Sequence, residues 1–394
     1  MGWLANADVN RLTLHTTLHQ FAFGVSGVFI GAYLLRAGLS PAGVWLTFAA
    51  ILALRFALRP LVLVAVERLG PRRTLIGGTV LFALQYPLLA PVHGGGTELA
   101  LFIAVAAIGN VFYWTCYHAF FAALGDADQR GRQVGLREAL SAGANVLAPA
   151  TGGVVLSTLG PWAAFGTAAV IELAAIAPLW GVREPAVARL APRDSYRAAR
   201  TGALLFVCDG WMTCTAWLAW MFIAFAAFGA RYDAYGGALA AAALAGALAG
   251  MLLGHSLDRG QARRAIPLNA ALFGANLLFK ALCGTAPALV LAAQIAGTVL
   301  SGLYIPSLMT AIYNEGHAAP CPLRFQIAAE GGWDVGGTLA CLVGAALWWS
   351  GVPLQVTIVL ALPVMAVQAR LLIGSYAARA IGKTVIASSL RSSQ

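Results

Sequence analysis

Apolar runs about as long as a bilayer is thick recur along the whole chain, and that recurrence restricts the fold more than any single residue does. A helix needs about 20 apolar residues to cross the hydrocarbon core. Blocks of that size fall at 14–36, 40–66, 74–93, 98–124, 135–157 and 161–182, and again at 201–228, 234–256, 266–286, 287–313, 325–349 and 352–378. Lipid offers the backbone no hydrogen bonds, so only helices or closed barrels can span it. The blocks are continuous and do not alternate in ten-residue strands, which predicts helices. Charged residues are 10% of the 394, where a soluble domain carries about 25%. The expected fold class is an all-α integral membrane protein with twelve transmembrane helices.

The net charge of +10 could suggest nucleic acid, but the arginines gather in alternate connections. Arg68, Arg72 and Arg73 form one group, Arg130 and Arg132 the next, then Arg183, Arg189, Arg193, Arg197 and Arg200, then Arg259, Arg263 and Arg264. The opposite connections carry little more than Arg36 and Arg231. This positive-inside bias places both termini in the cytoplasm and the chain in a cytoplasmic (inner) membrane. The basic charge then serves topology and anionic headgroups, with the lipid bilayer as partner and no nucleic acid. The start, MGWLANADVNRLTLH, carries Asp8 and Arg11 and lacks a short apolar core with a cleavage site. The first block is expected to be an uncleaved anchor. Six cysteines lie in or near apolar blocks without paired spacing, so buried thiols are expected in place of a disulfide framework.

The longest polar stretch, REPAVARLAPRDSYRAAR at 183–200, divides the blocks six and six. Glu67, Arg68, Arg72 and Arg73 recur 191 positions later as Asp258, Arg259, Arg263 and Arg264, and Arg132 and Glu138 recur at an offset of 192 as Arg324 and Glu330. A duplicated six-helix unit is expected, with an N-terminal bundle at 1–182, a cytoplasmic linker at 183–200 and a C-terminal bundle at 201–394. Parallel repeats of this kind place a binding site near mid-bilayer where the halves meet.

These features resemble the major facilitator superfamily, over nearly the whole chain in architecture. LVAVERLGPRR keeps the acid, arginine, glycine and basic pair of the family signature between the second and third helices, with Leu63 where glycine is usual. The second copy, GHSLDRGQARR, keeps Gly254 and Asp258 and shifts its next glycine to Gly260. The resemblance implies gating by Glu67, Arg68, Arg72, Gly254, Asp258, Arg259 and Arg263; the alternative is ordinary topology-setting charge. GANVLAPATGG in the fifth block is similar to the family's antiporter motif, with Ala148 before Pro149 and with Gly152 and Gly153 retained. It tilts the expectation toward export. The arginine that many members carry on the fourth helix has no counterpart in AVAAIGNVFYW.

Arg55 and Arg59, in LALRFALRP, are permanent cations inside the second block. Arg55 precedes Glu67 by twelve residues, about 18 Å along a helix and near mid-bilayer. Arg59 is nearer the end and could snorkel. A charge facing lipid costs between about 3 and more than 10 kcal/mol, so such arginines face a wet cavity or a carboxylate. The candidate partners are Glu138, Asp209, Glu330 and Asp334. They could form a permanent ion pair, such as Arg55 with Asp334, or an exchangeable one coupled to protons. Glu172 and Lys280 also lie in apolar blocks and are expected to be packing or lipid-facing.

His15, His19, Cys116, His118 and Cys208 could serve a transition metal if the first, fourth and seventh helices line the cavity, as the resemblance implies. The spacing is loose and no acidic cluster joins them, so no metal site is assigned. The aromatic run around Phe112, Trp114, Tyr117 and Phe121 could stack on an organic solute or simply pack. The expected substrate contacts are Arg55, Arg59, His19, Trp114, Tyr117 and His118.

No glycine-rich nucleotide loop precedes a Lys-Ser or Lys-Thr pair, and no nucleophile–base spacing stands out, so the chain is not expected to be an enzyme. No cofactor is expected. The leading expectation is a secondary transporter, acting as a monomer by alternating access, that couples protons to a small organic, anionic or amphipathic solute. A metal or metal-chelate transporter and a non-transporting sensor or scaffold are the alternatives.

Overall fold

The computed structural model describes residues 6–126, 128–185, 194–257 and 262–392. Its helices, in chain order, are α1 (Ala7–Val25), α2 (Ile30–Arg36), α3 (Pro41–Leu58), α4 (Pro60–Leu69), α5 (Pro71–Leu89), α6 (Thr97–Leu124), α7 (Arg130–Thr158) and α8 (Pro161–Ala174). The short α9 (Asp194–Ala198) leads to α10 (Arg200–Met212), α11 (Leu218–Ala227), α12 (Tyr232–Leu257), α13 (Ala262–Leu282), α14 (Pro287–Ala318), α15 (Pro322–Trp349), α16 (Leu354–Val359) and α17 (Ala361–Ser392). Prolines open α3, α4, α5, α8, α14 and α15. That position suits a residue without an N–H, because the first turn has no partner for one.

Nine helical spans among the described residues are long and apolar enough to cross a membrane. Some spans join two elements, as Ala7–Arg36 joins α1 and α2 through a 3-10 turn at Gly27–Phe29. α15 has the length, at 28 residues, but carries Arg324, Glu330, Asp334 and several glycines. It can be less apolar because so much of it packs against other helices, including α3, α6 and α10.

Two breaks shape the centre of the molecule. The second apolar block is not one helix: Pro60 lacks the N–H that would continue the ladder, and Arg59 N instead bonds Phe56 O at 3.3 Å in a tighter turn. The chain therefore bends at Arg59, between α3 and α4. Between α10 and α11 a π-helical turn at Thr213–Trp217 loosens the backbone, and Trp45 of α3 donates its Nε1 hydrogen to the Cys214 carbonyl there at 3.4 Å. At the tight corner between α4 and α5, Gly70 has φ of +86°, a value disfavoured for residues with a side chain.

α7 lies along α12, and α3 along α15. Small residues set these approaches. Gly152 meets the Val25 carbonyl of α1, Gly153 the Tyr232 carbonyl and Gly236 the Pro149 carbonyl. Gly332 and Gly336 of α15 lie against the Ala203 and Val207 carbonyls of α10. With no hydrophobic drive between helices in lipid, close backbone contact of this kind supplies the packing energy. All six cysteines are buried free thiols.

Candidate functional site

The bend at Arg59 turns both guanidinium groups of this stretch into the seam with α15. Neither snorkels: Arg55 is 5% exposed and Arg59 3%. On α15, Glu330 and Asp334 are one turn apart, so two cations spaced four residues apart meet two carboxylates with the same spacing. Arg59 donates from Nε to Asp334 Oδ2 at 2.9 Å, places Nη2 against the same oxygen, and donates from Nη1 to Thr115 Oγ1 at 2.9 Å. Arg55 Nη2 lies 3.0 Å from Asp334 Oδ1 and 3.6 Å from Glu330 Oε2. Its guanidinium carbon sits 5.4 Å from the centre of the Trp333 ring.

The cluster continues through α6 to α14 and α7. His118 Nε2 is 3.3 Å from Glu330 Oε1, and Nδ1 is 2.6 Å from the Tyr313 hydroxyl. Arg137 Nη1 donates to that same hydroxyl, and Arg137 also bonds Glu138 Oε1, at 3.1 Å from Nε. One proton arrangement satisfies the run: Arg137 donates to Tyr313, Tyr313 donates to His118 Nδ1, and a neutral His118 donates from Nε2 to Glu330. Arg55, Arg59 and Arg137 then balance Glu138, Glu330 and Asp334. The groups come from both sides of the 183–200 segment.

Asp209 reaches the cluster indirectly. Its Oδ2 accepts the Trp333 indole hydrogen at 2.9 Å, while the face of that ring carries Arg55. Trp114, half-buried, stacks on His118 with ring centres 5.4 Å apart. Tyr117 is buried beside it and stacks on Tyr113 at 6.0 Å.

His19 is fully buried on the other side of Trp114, which it meets edge-on at 5.2 Å; its Nδ1 is 2.9 Å from Glu172 Oε1 and its ring stacks on Tyr113 at 4.2 Å. Glu172 is thus buried and not lipid-facing, and among the described residues its ion-pair partner is His19. His15 Nδ1 bonds the Ala175 carbonyl at 2.7 Å. Cys116 borders a small void with Cys321, Pro71 and Pro322. These residues do not converge with His118 and Cys208, and among the described residues no group of three or more His, Cys, Asp and Glu side chains could hold a metal ion. Lys280 is partly buried, its Nζ 4.9 Å from the centre of the Trp220 ring.

Of the expected gating residues, Glu67 and Arg68 are exposed at the end of α4. Arg72 donates to the Trp180 carbonyl at 3.2 Å and pairs with Glu184 at 3.3 Å, tying α5 to the segment after α8. Asp258 and Arg259 lie outside the described residues, and for Gly254 and Arg263 only the helical backbone is described. Contacts across the seam at this end come from other residues. Arg130 bonds Asn314 at 3.0 Å and the Gly125 carbonyl at 2.6 Å, and His317 bonds the Ala122 carbonyl at 2.9 Å. At the opposite end Phe29 meets Tyr232 and Tyr235 edge-on.

Arg137, Tyr313, Thr115 and Trp333 were not singled out by the sequence. Arg137 offered a signal, a cation just inside the fifth block beside Glu138. Tyr313 and Thr115 offered none, because hydroxyls are common in membrane helices and only their partners distinguish them.

The fold is shared with known transporters. The human organic anion transporter MFSD10 superposes with a TM-score of 0.68 at 14% identity, covering 93% of this chain and 99% of that one. A variant of the E. coli fucose:proton symporter FucP gives 0.66 at 14% identity, covering 92% and 98%. A variant of the nucleoside transporter NupG gives 0.63 at 11%, covering 93% and 99%. No curated protein matches the sequence. The family model described as Major Facilitator Superfamily matches residues 12–319, and the chain belongs to that superfamily of transporters.

Proposed function

We propose that the protein is a secondary active transporter that moves a small organic anion by alternating access, with protons coupled through the cluster between α3 and α15. The observation that carries this reading is the balance of three guanidinium groups and three carboxylates, all but the partly exposed Glu138 buried, in one cluster that bridges helices from before and after the 183–200 segment. Each alternation would separate Arg55 and Arg59 from Glu330 and Asp334. Removing one partner of a buried pair costs about 3–5 kcal/mol, so separation needs a replacement partner. Water, a proton on a carboxylate, or a solute anion on the arginines can each serve.

Charge balance links the last two. An anion added alone to a neutral cluster leaves a net negative charge in a low-dielectric space. A proton on Glu330 or His118 restores neutrality, so anion and proton enter and leave together. In this reading Arg55 and Arg59 hold the anionic group, Trp114 and Trp333 flank the organic part, and Asp209 steadies Trp333. In the structure described here the arginines are engaged by the carboxylates, which corresponds to the solute-free arrangement. The two proposed bundles rock about the close contacts of α7 with α1 and α12, one chain forming the working unit. The arginine-rich end and both termini face the cytoplasm. Net direction follows the gradients, so joint movement with protons gives uptake under an inward proton gradient, and the export suggested by the Gly-Pro resemblance in α7 requires an outward solute gradient large enough to exceed it.

The test is solute flux in proteoliposomes. An imposed proton gradient should drive accumulation of an organic anion, and Glu330→Gln should abolish that accumulation while leaving exchange of the anion across the membrane. Failure of proton gradients of either sign to move any organic anion, with the protein shown to be folded, would overturn the proposal.

A further inference from the structure

A cavity of about 860 Å³ opens at the arginine-rich end between α14 and α17, bordered by Thr201 at the start of α10 and by Arg130 of α7. It is separate from the central cluster, and Arg55, Arg59, Glu330 and Asp334 are not among its lining residues. Its size lies within the ~300–1,000 Å³ of small-molecule sites, which are mostly apolar with a few placed polar groups. Val367, Leu371 and Ala311 supply apolar wall. Gly374 also lines it, and a Cβ there would have no atom within 4 Å.

The charged lining is lopsided. Arg130, Arg370 and His317 face one carboxylate, Glu315, and that carboxylate already accepts the Ser375 hydroxyl at 2.6 Å. Arg370 is the decisive residue. It lies within Leu354–Ala377, a span long and apolar enough to cross a membrane. Yet it forms no hydrogen bond or ion pair among the described residues. Its side chain is exposed and lines the cavity beside Arg130 and His317, so its guanidinium is available to an anion whose apolar part covers the Val367 and Leu371 wall.

We propose that this cavity binds an amphipathic anion: a phosphate-type head against Arg370, with Arg130 and His317 adding positive charge, and an alkyl chain along Val367 and Leu371. A membrane phospholipid and a free single-chain amphiphile share that chemistry. Because binding is read without transport, its failure would leave the proposal for the central cluster untouched.

The full-length protein, purified in a neutral detergent, would be titrated with dioctanoyl phosphatidylglycerol, dioctanoyl phosphatidylcholine, decyl phosphate and inorganic phosphate, with bound ligand counted by native mass spectrometry. Phosphatidylglycerol should bind at least about tenfold more tightly than phosphatidylcholine, and Arg370→Gln should erase the difference, as expected for loss of one charged hydrogen-bonding group. Gly374→Leu should fill the cavity without a backbone clash and weaken phosphatidylglycerol binding with Arg370 intact; this variant decides the matter if Arg370→Gln fails to fold. Tighter binding of decyl phosphate than of phosphatidylglycerol identifies a free amphiphile as the occupant, and the reverse a bilayer lipid; both support the site. Equal binding of the two phospholipids, inorganic phosphate matching phosphatidylglycerol, or parental binding by Gly374→Leu would overturn it.

Discussion

Arg59 and Asp334 are 275 positions apart in the chain and meet in the interior, with Arg59 Nε donating to Asp334 Oδ2 at 2.9 Å. Asp334 is fully buried, so its charge depends on the two arginines beside it. Replacing Arg59 by Met should lower stability by up to about 3–5 kcal/mol, since the buried Asp334 loses its closest cation and keeps only Arg55, 3.0 Å away. The combined Arg59→Met, Asp334→Asn protein should recover part of that loss. Thermal unfolding in detergent reads both, and equal stability of the single and double variants would remove the pair from the account.

Tyr313 joins Arg137 to His118 through one oxygen. Tyr313→Phe keeps the ring and deletes the oxygen, leaving polar groups on two other helices short of a partner. The expected loss is about 1–3 kcal/mol, together with slower proton-driven uptake in the flux assay. Unchanged uptake would show that the relay stops at Glu330.

His19 and Glu172 form a second buried pair, away from the arginines, with both side chains at 0% exposure. Glu172→Leu alone should destabilise the protein more than the double replacement His19→Leu, Glu172→Leu. A buried pair removed whole is often nearly neutral, whereas a broken one strands its partner. A double variant as unstable as the two single losses summed would argue that the partners act independently.

Glycines on α7 offer a matched comparison. A Cβ at Gly152 would collide with the Val25 carbonyl, whereas one at Gly143 would have no atom within 4 Å. Gly152→Ala should cost about 1–3 kcal/mol or more through overpacking. Gly143→Ala should be neutral or gain up to about 1 kcal/mol from helix propensity. Melting temperatures of the two variants in one detergent suffice, and the same response at both positions would contradict the packing described.

The buried thiols predict inertness. Cys116, Cys208, Cys214, Cys283, Cys321 and Cys341 should resist a membrane-impermeant maleimide in the folded protein and react after unfolding. Labelling of Cys208 or Cys214 only under an imposed proton gradient would report opening of the seam around α10.

The membrane-spanning helical character was legible in the sequence, and so was the place of each charge along its own helix, because hydropathy, length and the fixed rise of a helix act along a single segment. The pairing of Arg55 with Asp334 could be named as a candidate for that reason: both positions count to a similar depth. Depth says nothing about azimuth. Rotation about each helix axis decides that Arg59 turns inward to Asp334, that Arg137 meets Tyr313, and that His19 turns to Glu172 and not toward His118. Those rotations follow from the bend at Pro60 and from glycines that let particular backbones touch, contacts between residues far apart in the chain. Local pattern thus determined which segments are helical and apolar enough to span a membrane and where along its helix each charge falls, while only tertiary packing decided which charges face one another, since an ion pair across helices depends on their mutual orientation.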